Sequence, residues 1–528
     1  MDTAFIVTAF VLGFFVKQIG LPPLVGFLAG GFVLNALGYT ASELLYQLSD
    51  IGIILLLFSI GLKVQIKKLL QPQVWGTASL HMGITVVVFG AVVYALSLAG
   101  YSYFSQLTLS TSLLFAFALS FSSTVFAVKM LEEKAEMASN HGRLAIGILI
   151  MQDFFAVIFI TFSSGKVPSP LALGLVALFF LKKPLGIILD KSGHGELLVL
   201  LACILPIAGA SVFEYVGLKP DLGALILGMI FAGHPKTDEL AKAMFGFKDL
   251  FLVGFFLTIG MADLPNIQML KVAGLLVLFV PLKVILFYLL LTRYRLRART
   301  SLITSLNLAN YSEFGLIVGA LGVSQGWLGS EWLVIIAVAV SISMIVASPV
   351  GTMAPAMYER WNGFLKKFET AKRMAGEEVI DIGCATIAVL GMGRVGLGAY
   401  QHLEEQYGKR VVGLDFDEQR AAKHRTAGRR VVFGDAGDYD FWQRGISRPE
   451  QMQLVLLTMS HVANLKAAKR LQSVPHEIVV AAAAHYEDEV EQLKDAGVDH
   501  VFNIFGEAGA GLADHVCELQ GMPAGEKR

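Results

Sequence analysis

Cysteine is scarce in this sequence, and so is charge. Cys203, Cys384 and Cys517 are the three thiols in 528 residues, too few and too scattered for a disulfide framework or a thiolate metal site. Only 16% of the residues are charged, and 42 basic side chains cancel 42 acidic ones. That balance leaves no global basic footprint for nucleic acid. The opening stretch FIVTAFVLGFFVKQIG lacks a basic start and a small-residue cleavage site. It reads as a retained span and not as a leader.

Apolar residues are what the chain has in excess. They make up 55% of it, and mean hydropathy is +0.64. Soluble domains sit near ~45–50% apolar, so this is a polytopic α-helical membrane protein. About thirteen segments approach the ~20 residues needed to cross a bilayer. They centre on 3–19, 22–38, 46–62, 74–98, 107–131, 143–163, 168–181, 195–213, 219–233, 246–262, 269–292, 301–324 and 330–353. With the N-terminus outside, Lys63, Lys67, Lys68, Lys129, Lys134, Arg143, Lys182, Lys183, Lys191, Lys236, Lys242, Lys248 and the run RYRLRAR all fall in inner loops. The outer loops keep little beyond Lys166 and Lys219. This asymmetry follows the positive-inside rule and favours an odd number of spans.

One carboxylate stands out. In AIGILIMQDFFAVIFI, Asp153 and its neighbour Gln152 sit in sequence otherwise fit for hydrocarbon. An unpaired charge at that depth costs roughly 3 kcal/mol on insertion scales. Desolvation favours the protonated acid and a nearby cation favours the ionised one. Lys283, in VPLKVILFY, supplies a cation that would also be costly alone, so the two are expected to compensate each other. Such a carboxylate holds a proton or a dehydrated monovalent cation, but not both well. The bland alternative makes Asp153 a structural partner of Lys283 only.

After Pro355 the texture changes. Residues 1–355 form the membrane domain, and 356–384 form a charged linker with Trp361, Phe364 and Phe368 on one helical face. That face suits the cytoplasmic membrane interface, or simply a solvated connector. Residues 385–528 alternate strand and helix, the pattern of a Rossmann-like parallel sheet. Gly391, Gly393 and Gly396 form G-x-G-x-x-G between ATIAVL and a helix. Asp415 ends the next strand about 19 residues beyond Gly396, where a ribose-binding acid belongs. Glycines let backbone N–H groups approach phosphate. Only about 140 residues follow the linker, which leaves no second domain for a hydride acceptor. A regulatory nucleotide sensor is expected, not an enzyme.

The segments LSDIGIILLLFSIGLKV, SFSSTVFAVKML, MQDFFAV, FKDLFLVGFFLTIGM and YSEFGLIVGA resemble those of Kef-type potassium/proton antiporters of the cation:proton antiporter-2 group. VLGMGRVG, LDFD and GDA resemble their C-terminal KTN (RCK-N) nucleotide-binding domain. The resemblance covers nearly the whole chain. It implies inverted repeats with crossed, broken helices, which aim half-helix ends and free carbonyls at a midplane ion.

It further implies that Asp153 is the shared seat of proton and potassium, with Gln152 as a neighbouring oxygen ligand and Lys283 as the basic residue close by. Ser122, Ser123 and Thr124 then mark the break in the fifth span, and Asn310, Ser312 and Glu313 the break in the twelfth. Glu313 either lines the pathway or caps a helix. In the tail, Arg394 is placed to reach a phosphate, Asp415 and Asp417 an adenosine ribose, and Asp435 the adenine edge. AMP, ATP and NAD(H) share those groups. The resemblance also implies a homodimer in the bacterial inner membrane, with the tail in the cytoplasm.

Two other readings compete. A sodium/proton antiporter of the same fold differs mainly at the side chain beside the acid. A nucleotide-gated potassium channel needs a TVGYG-type filter, which is absent from the sequence. His81, near the start of the fourth span, reads as a packed histidine before a proton relay.

Overall fold

The computed structural model describes residues 3–18, 23–63, 71–134, 136–137, 139–163, 169, 174–175, 178, 180–218, 220–261, 264–374, 377, 382, 384–434, 452–472 and 478–520. It comprises two compact units. One is Met1–Met130 with Leu144–Ala371, and the other is Leu131–Arg143 with Lys372–Arg528.

The first unit is helical. Its elements are α1 (Thr3–Gln18), α2 (Pro23–Ala36), α3 (Glu43–Lys63), α4 (Pro72–Leu98), α5 (Leu109–Ser120), α6 (Thr124–Glu133), α7 (Asn140–Ser163) and α8 (Lys182–Lys191). They continue with α9 (Glu196–Tyr215), α10 (Pro220–Phe231), α11 (Thr237–Gly260), α12 (Ile267–Val277), α13 (Val280–Arg293), α14 (Ala298–Asn307), α15 (Glu313–Ser324) and α16 (Glu331–Leu365). α6 and α7 run out of this unit into the 131–143 segment of the other. Among the described residues, six helical stretches are long and apolar enough to cross a membrane.

Three expected spans are interrupted. The fifth and twelfth break at 121–123 and 308–312, as the resemblance implied. The eleventh turns at Leu278 and Phe279. Pro281, which lacks an N–H and crowds the carbonyl four residues back, permits a restart there but not a continuous helix. The last span passes Pro355 and stays helical to Leu365. The first ten linker residues therefore extend a transmembrane helix and do not form a separate one. Most of the expected span 168–181 lies outside the described residues.

Small residues let these helices touch backbone to backbone, the packing that membranes favour in the absence of a strong hydrophobic drive. A Cβ on Gly31 of α2 would lie 2.7 Å from Gly260 Cα of α11, and one on Gly61 of α3 would lie 2.9 Å from Gly228 Cα of α10. Trp332 anchors the core, with its ring 4.5 Å from that of Phe115 and 5.3 Å from that of Phe104.

The second unit carries six parallel strands in the order β3-β2-β1-β4-β5-β6. They are β1 (Ile387–Leu390), β2 (Val411–Asp415), β3 (Val431–Phe433), β4 (Leu454–Leu457), β5 (Val479–Ala484) and β6 (His500–Asn503). Connecting and flanking them are α17 (Arg394–Tyr407), α18 (Glu418–Thr426), α19 (His461–Gln472), α20 (Glu487–Asp495) and α21 (Ile504–Leu519). Alternation along β1 builds two cores. Ile387 and Val389 pack with Tyr400 and Val411 on one face, while Ala388 and Leu390 pack with Val412 and Val455 on the other. β1 pairs with β2 on one side and β4 on the other. The strand order reverses there, so the crevice beyond its C-terminal end is where α/β sheets bind ligands.

The glycine contacts give a test of the membrane packing. Gly260→Leu should cost about 1–3 kcal/mol by overpacking, because the atoms it meets are backbone and cannot yield. Gly274→Leu on α12, whose Cβ meets nothing within 4 Å, should be silent. Thermal unfolding in detergent compares the two, and equal melting temperatures would contradict the packing.

Candidate functional site

The two breaks cross, and polar side chains lock them together. Ser122 donates its hydroxyl to Leu308 O at 2.9 Å. The freed N–H groups find amide oxygens: Ser122 N donates to Gln152 Oε1 at 3.0 Å, and Ser123 N donates to Asn310 Oδ1 at 2.6 Å. Each amide satisfies backbone that the broken helix cannot. Gln152 is thus a brace for the break, a role its expected place among the ion ligands did not suggest.

Asp153 is fully buried. Its Oδ2 accepts from Thr124 Oγ1 at 2.9 Å, and its Oδ1 has no protein partner. The charged side chain acting on it is Glu313. That residue opens α15, is buried, and has one oxygen, Oε1, without a partner. The Ser123 and Ser312 hydroxyls and the Val125 N–H face its carboxyl, while Ser312 caps the helix through Phe314 N at 3.1 Å. Two carboxyls therefore sit where α6 and α15 begin, at the positive ends of half-helices.

Lys283 is placed otherwise than expected. Its Nζ donates to Leu119 O at 3.2 Å, Phe121 O at 2.8 Å and Asn310 O at 3.0 Å. All three ammonium protons are used, and no ion pair joins it to Asp153. Mutual compensation of Asp153 and Lys283 is thereby corrected: the cation neutralises the carbonyl ends of α5 and α14. Tyr311 completes the seat, its ring 4.9 Å from Nζ and its hydroxyl donating to Leu276 O at 2.6 Å. Ser343 holds Tyr311 N at 2.9 Å. Neither residue was picked out from sequence, although Tyr311 lies within the NYSE break.

In the second unit, Gly391 adopts φ +98°, and a Cβ on Gly396 would strike Gly391 O. A Cβ on Gly393 would meet nothing within 4 Å, so the loop is open where a phosphate would approach. Asp415 is buried at the end of β2. It accepts from Met392 N at 2.9 Å, Asp417 N at 2.8 Å and Arg420 Nη1 at 3.2 Å. Asp417 caps α18 by accepting from Gln419 N at 2.9 Å. Arg394 is exposed at the start of α17. Asp435 lies outside the described residues.

Comparison with known proteins agrees with both halves. The family described as sodium/hydrogen exchanger, transmembrane, matches residues 6–354, and the TrkA-N domain matches residues 387–504. The chain belongs to the sodium/hydrogen exchanger family. It is similar to the putative K(+) efflux antiporter KefB of Alkalimonas amylolytica, with 28% identity over 99% of this chain and 83% of that one. It is also similar to the putative cation/proton antiporter YbaL of Escherichia coli, at 27% over 99% and 97%. A solved TrkA-N domain of ybaL from Escherichia coli covers 26% of this chain and 98% of its own at 23% identity, TM-score 0.23. The exchanger is a cation/proton antiporter carrying a TrkA-N regulatory domain.

The lysine seat separates two readings of this exchanger. Lys283→Met should lower stability by at least ~3 kcal/mol, because several charged hydrogen bonds of about 1.5–3 kcal/mol each disappear. The double variant Lys283→Met/Asp153→Asn should recover none of that loss. Recovery in thermal unfolding would mean that the two residues pair after all.

Proposed function

We propose that this exchanger moves potassium against protons at one site built from Asp153 and Glu313, and that its tail sets the rate according to bound adenine nucleotide. The observation that carries the first half is the pair of buried carboxyls, each with an unpartnered oxygen, beside a lysine already tied to backbone. With all three ionised the site holds one net negative charge. One proton or one monovalent cation neutralises it, and buried imbalance is costly, so the two ions compete. Alternate exposure of such a site yields one-for-one exchange. The names of the efflux antiporters it resembles favour potassium; sodium is the alternative ion.

This reading has the N-terminus outside and the tail in the cytoplasm of a bacterial inner membrane, the orientation that the placement of loop lysines and arginines favours. A homodimer fits α21, which packs on edge strand β6 and exposes Phe505, Leu512, Val516 and Leu519. A second copy would cover that face.

Regulation needs a route from tail to ion site, and the 131–143 segment supplies one. Within the second unit, Glu136 pairs with Lys466 at 2.9 Å and with His141 at 3.1 Å. Burial alone would raise the Glu136 carboxyl, but the His141 hydrogen bond and charge, together with Lys466, hold it well below the usual carboxylate range. A carboxyl depressed this way stays ionised until strong acid. Arg143 pairs with Glu418 at 3.2 Å and lies 5.5 Å from the Phe433 ring centroid. Asn140 bonds Glu377. Glu418 directly follows Asp417, so a nucleotide that moves the start of α18 pulls on Arg143. From the same segment α6 leads back to Thr124 and α7 leads on to Asp153.

Two experiments test this. In proteoliposomes, Asp153→Asn and Glu313→Gln should each leave under a tenth of wild-type exchange, with potassium and rubidium preferred over sodium in the parent. Retained exchange in both variants would sink the site, and a sodium preference would sink the ion. For the route, Glu136→Lys should keep basal exchange but lose most of the nucleotide response, and Glu136→Lys/Lys466→Glu should restore it. An unchanged response in the single variant would rule the segment out.

A further inference from the structure

His81 of α4 has no part in the site as described, yet its surroundings are those of a working group. It is fully buried, its ring nitrogens make no well-formed hydrogen bond although the Lys283 backbone borders them, and its ring stacks on Phe287 with centroids 3.4 Å apart and planes 5° from parallel. Phe287 stands one turn from Lys283 on α13. A neutral imidazole carries one donor and one acceptor, and leaving either unmet in a protein interior costs about 1–3 kcal/mol. Packing against Phe287 alone would be served better by a hydrocarbon side chain.

Thr77 and Thr85 lie one turn to either side of His81 on the same helix. Both are buried and neither hydroxyl has a protein partner. Threonines in helices commonly return the hydroxyl to the carbonyl four residues back, as Thr292 does to Tyr288 O at 3.0 Å and Thr352 to Ser348 O at 3.1 Å. Thr77 and Thr85 do not. Three polar groups thus recur at one-turn intervals, about 6 Å of helix rise apart, a step that water hydrogen-bonded to both neighbours can span.

We propose that Thr77, His81 and Thr85 hold a file of bound water, and that His81 relays the exchanged proton along it toward the crossing at Lys283. The proposal rests on the exchange site inferred above. In each passage one ring nitrogen takes a proton from water on one side, and the other nitrogen releases its proton to water on the other side. The imidazole ends neutral in the opposite tautomer, and a ring turn resets it. The titratable group facing His81 from α13 is Lys283. α5, packed along α4, carries none between Leu109 and Ser120, and Tyr294 Oη lies farther along, against Gly76.

The test uses the full-length protein in proteoliposomes. His81→Phe should cut maximal exchange at least ~100-fold, the low end for a positioned proton-transfer group, with the cation concentration for half-maximal rate unchanged. His81→Gln, which can hold the water but not switch tautomer, should fold normally and show a similar loss with an altered pH profile. Radiolytic hydroxyl-radical footprinting of the wild type should mark His81, and Thr77→Val/Thr85→Val should suppress that mark. Wild-type rate and pH profile in His81→Gln, or an unmarked His81, would overturn the relay. Because Asp153→Asn is assayed alongside, an inactive Asp153 variant beside an active His81→Gln variant would reject the relay and leave the exchange site standing. Full activity in both would reject the site itself.

Discussion

The rest of the membrane unit depends on the lysine that fills the crossing. Two broken helices bring four half-helix ends together, two of them rich in unmet carbonyls and two in unmet N–H groups. Without a cation the carbonyl ends would face each other in a medium with no water to separate them. Lys283 takes three carbonyls from both breaks, while Gln152 and Asn310 take the N–H groups of Ser122 and Ser123. Charge is sorted by helix polarity: the ammonium sits at the negative ends, and the carboxyls of Asp153 and Glu313 at the positive ones.

That sorting explains how an acid can stay unpaired so deep. A carboxylate paired directly with Lys283 would have its charge cancelled and would hold a cation poorly. Tied to carbonyls, the lysine leaves the carboxyls of Asp153 and Glu313 without a cationic partner among the described residues, which the proposed exchange at this site requires. The free oxygens Asp153 Oδ1 and Glu313 Oε1 are the groups that the proposed site offers to a proton or a cation. The breaks serve the same end, because only interrupted helices put N-termini at this depth.

Much of this was legible in the sequence. A glycine loop between strand and helix, with Asp415 after the next strand, identifies a Rossmann-like domain because each residue type there answers one backbone demand. The breaks at Ser122–Thr124 and Asn310–Glu313 were expected through the resemblance to the antiporter family, since Ser and Thr alone are tolerated in continuous spans. Pairings across the crossing were not. Lys283 and Asp153 are the conspicuous opposite charges, and sequence reasoning joins them on charge alone. Carbonyls, which carry no sequence signal, turned out to be the better partners. The bond that Gln152 accepts from Ser122 N was hidden for the same reason, since a backbone N–H carries no sequence signal. The turn before Pro281 was signalled by the proline, yet the hydropathy of 269–292 reads as one span because a two-residue turn does not alter it.

The covalent linker after the last span need not be the only way the tail reaches the transporter. α16 runs helical to Leu365 and reaches the crossing through Ser343, which accepts from Tyr311 N at 2.9 Å. The 131–143 segment is different in kind. Its contacts place it in the unit that carries the TrkA-N domain, while α6 and α7, which it joins, carry Thr124 and Asp153, the two ends of a 2.9 Å hydrogen bond. A shift of the segment that moved one helix against the other by a fraction of an ångström would lengthen that bond and change how firmly Asp153 holds an ion. Coupling requires an element whose two arrangements both sites can bias. A short segment held within the second unit and continuous with both helices that carry Thr124 and Asp153 is the element on which the proposed coupling rests.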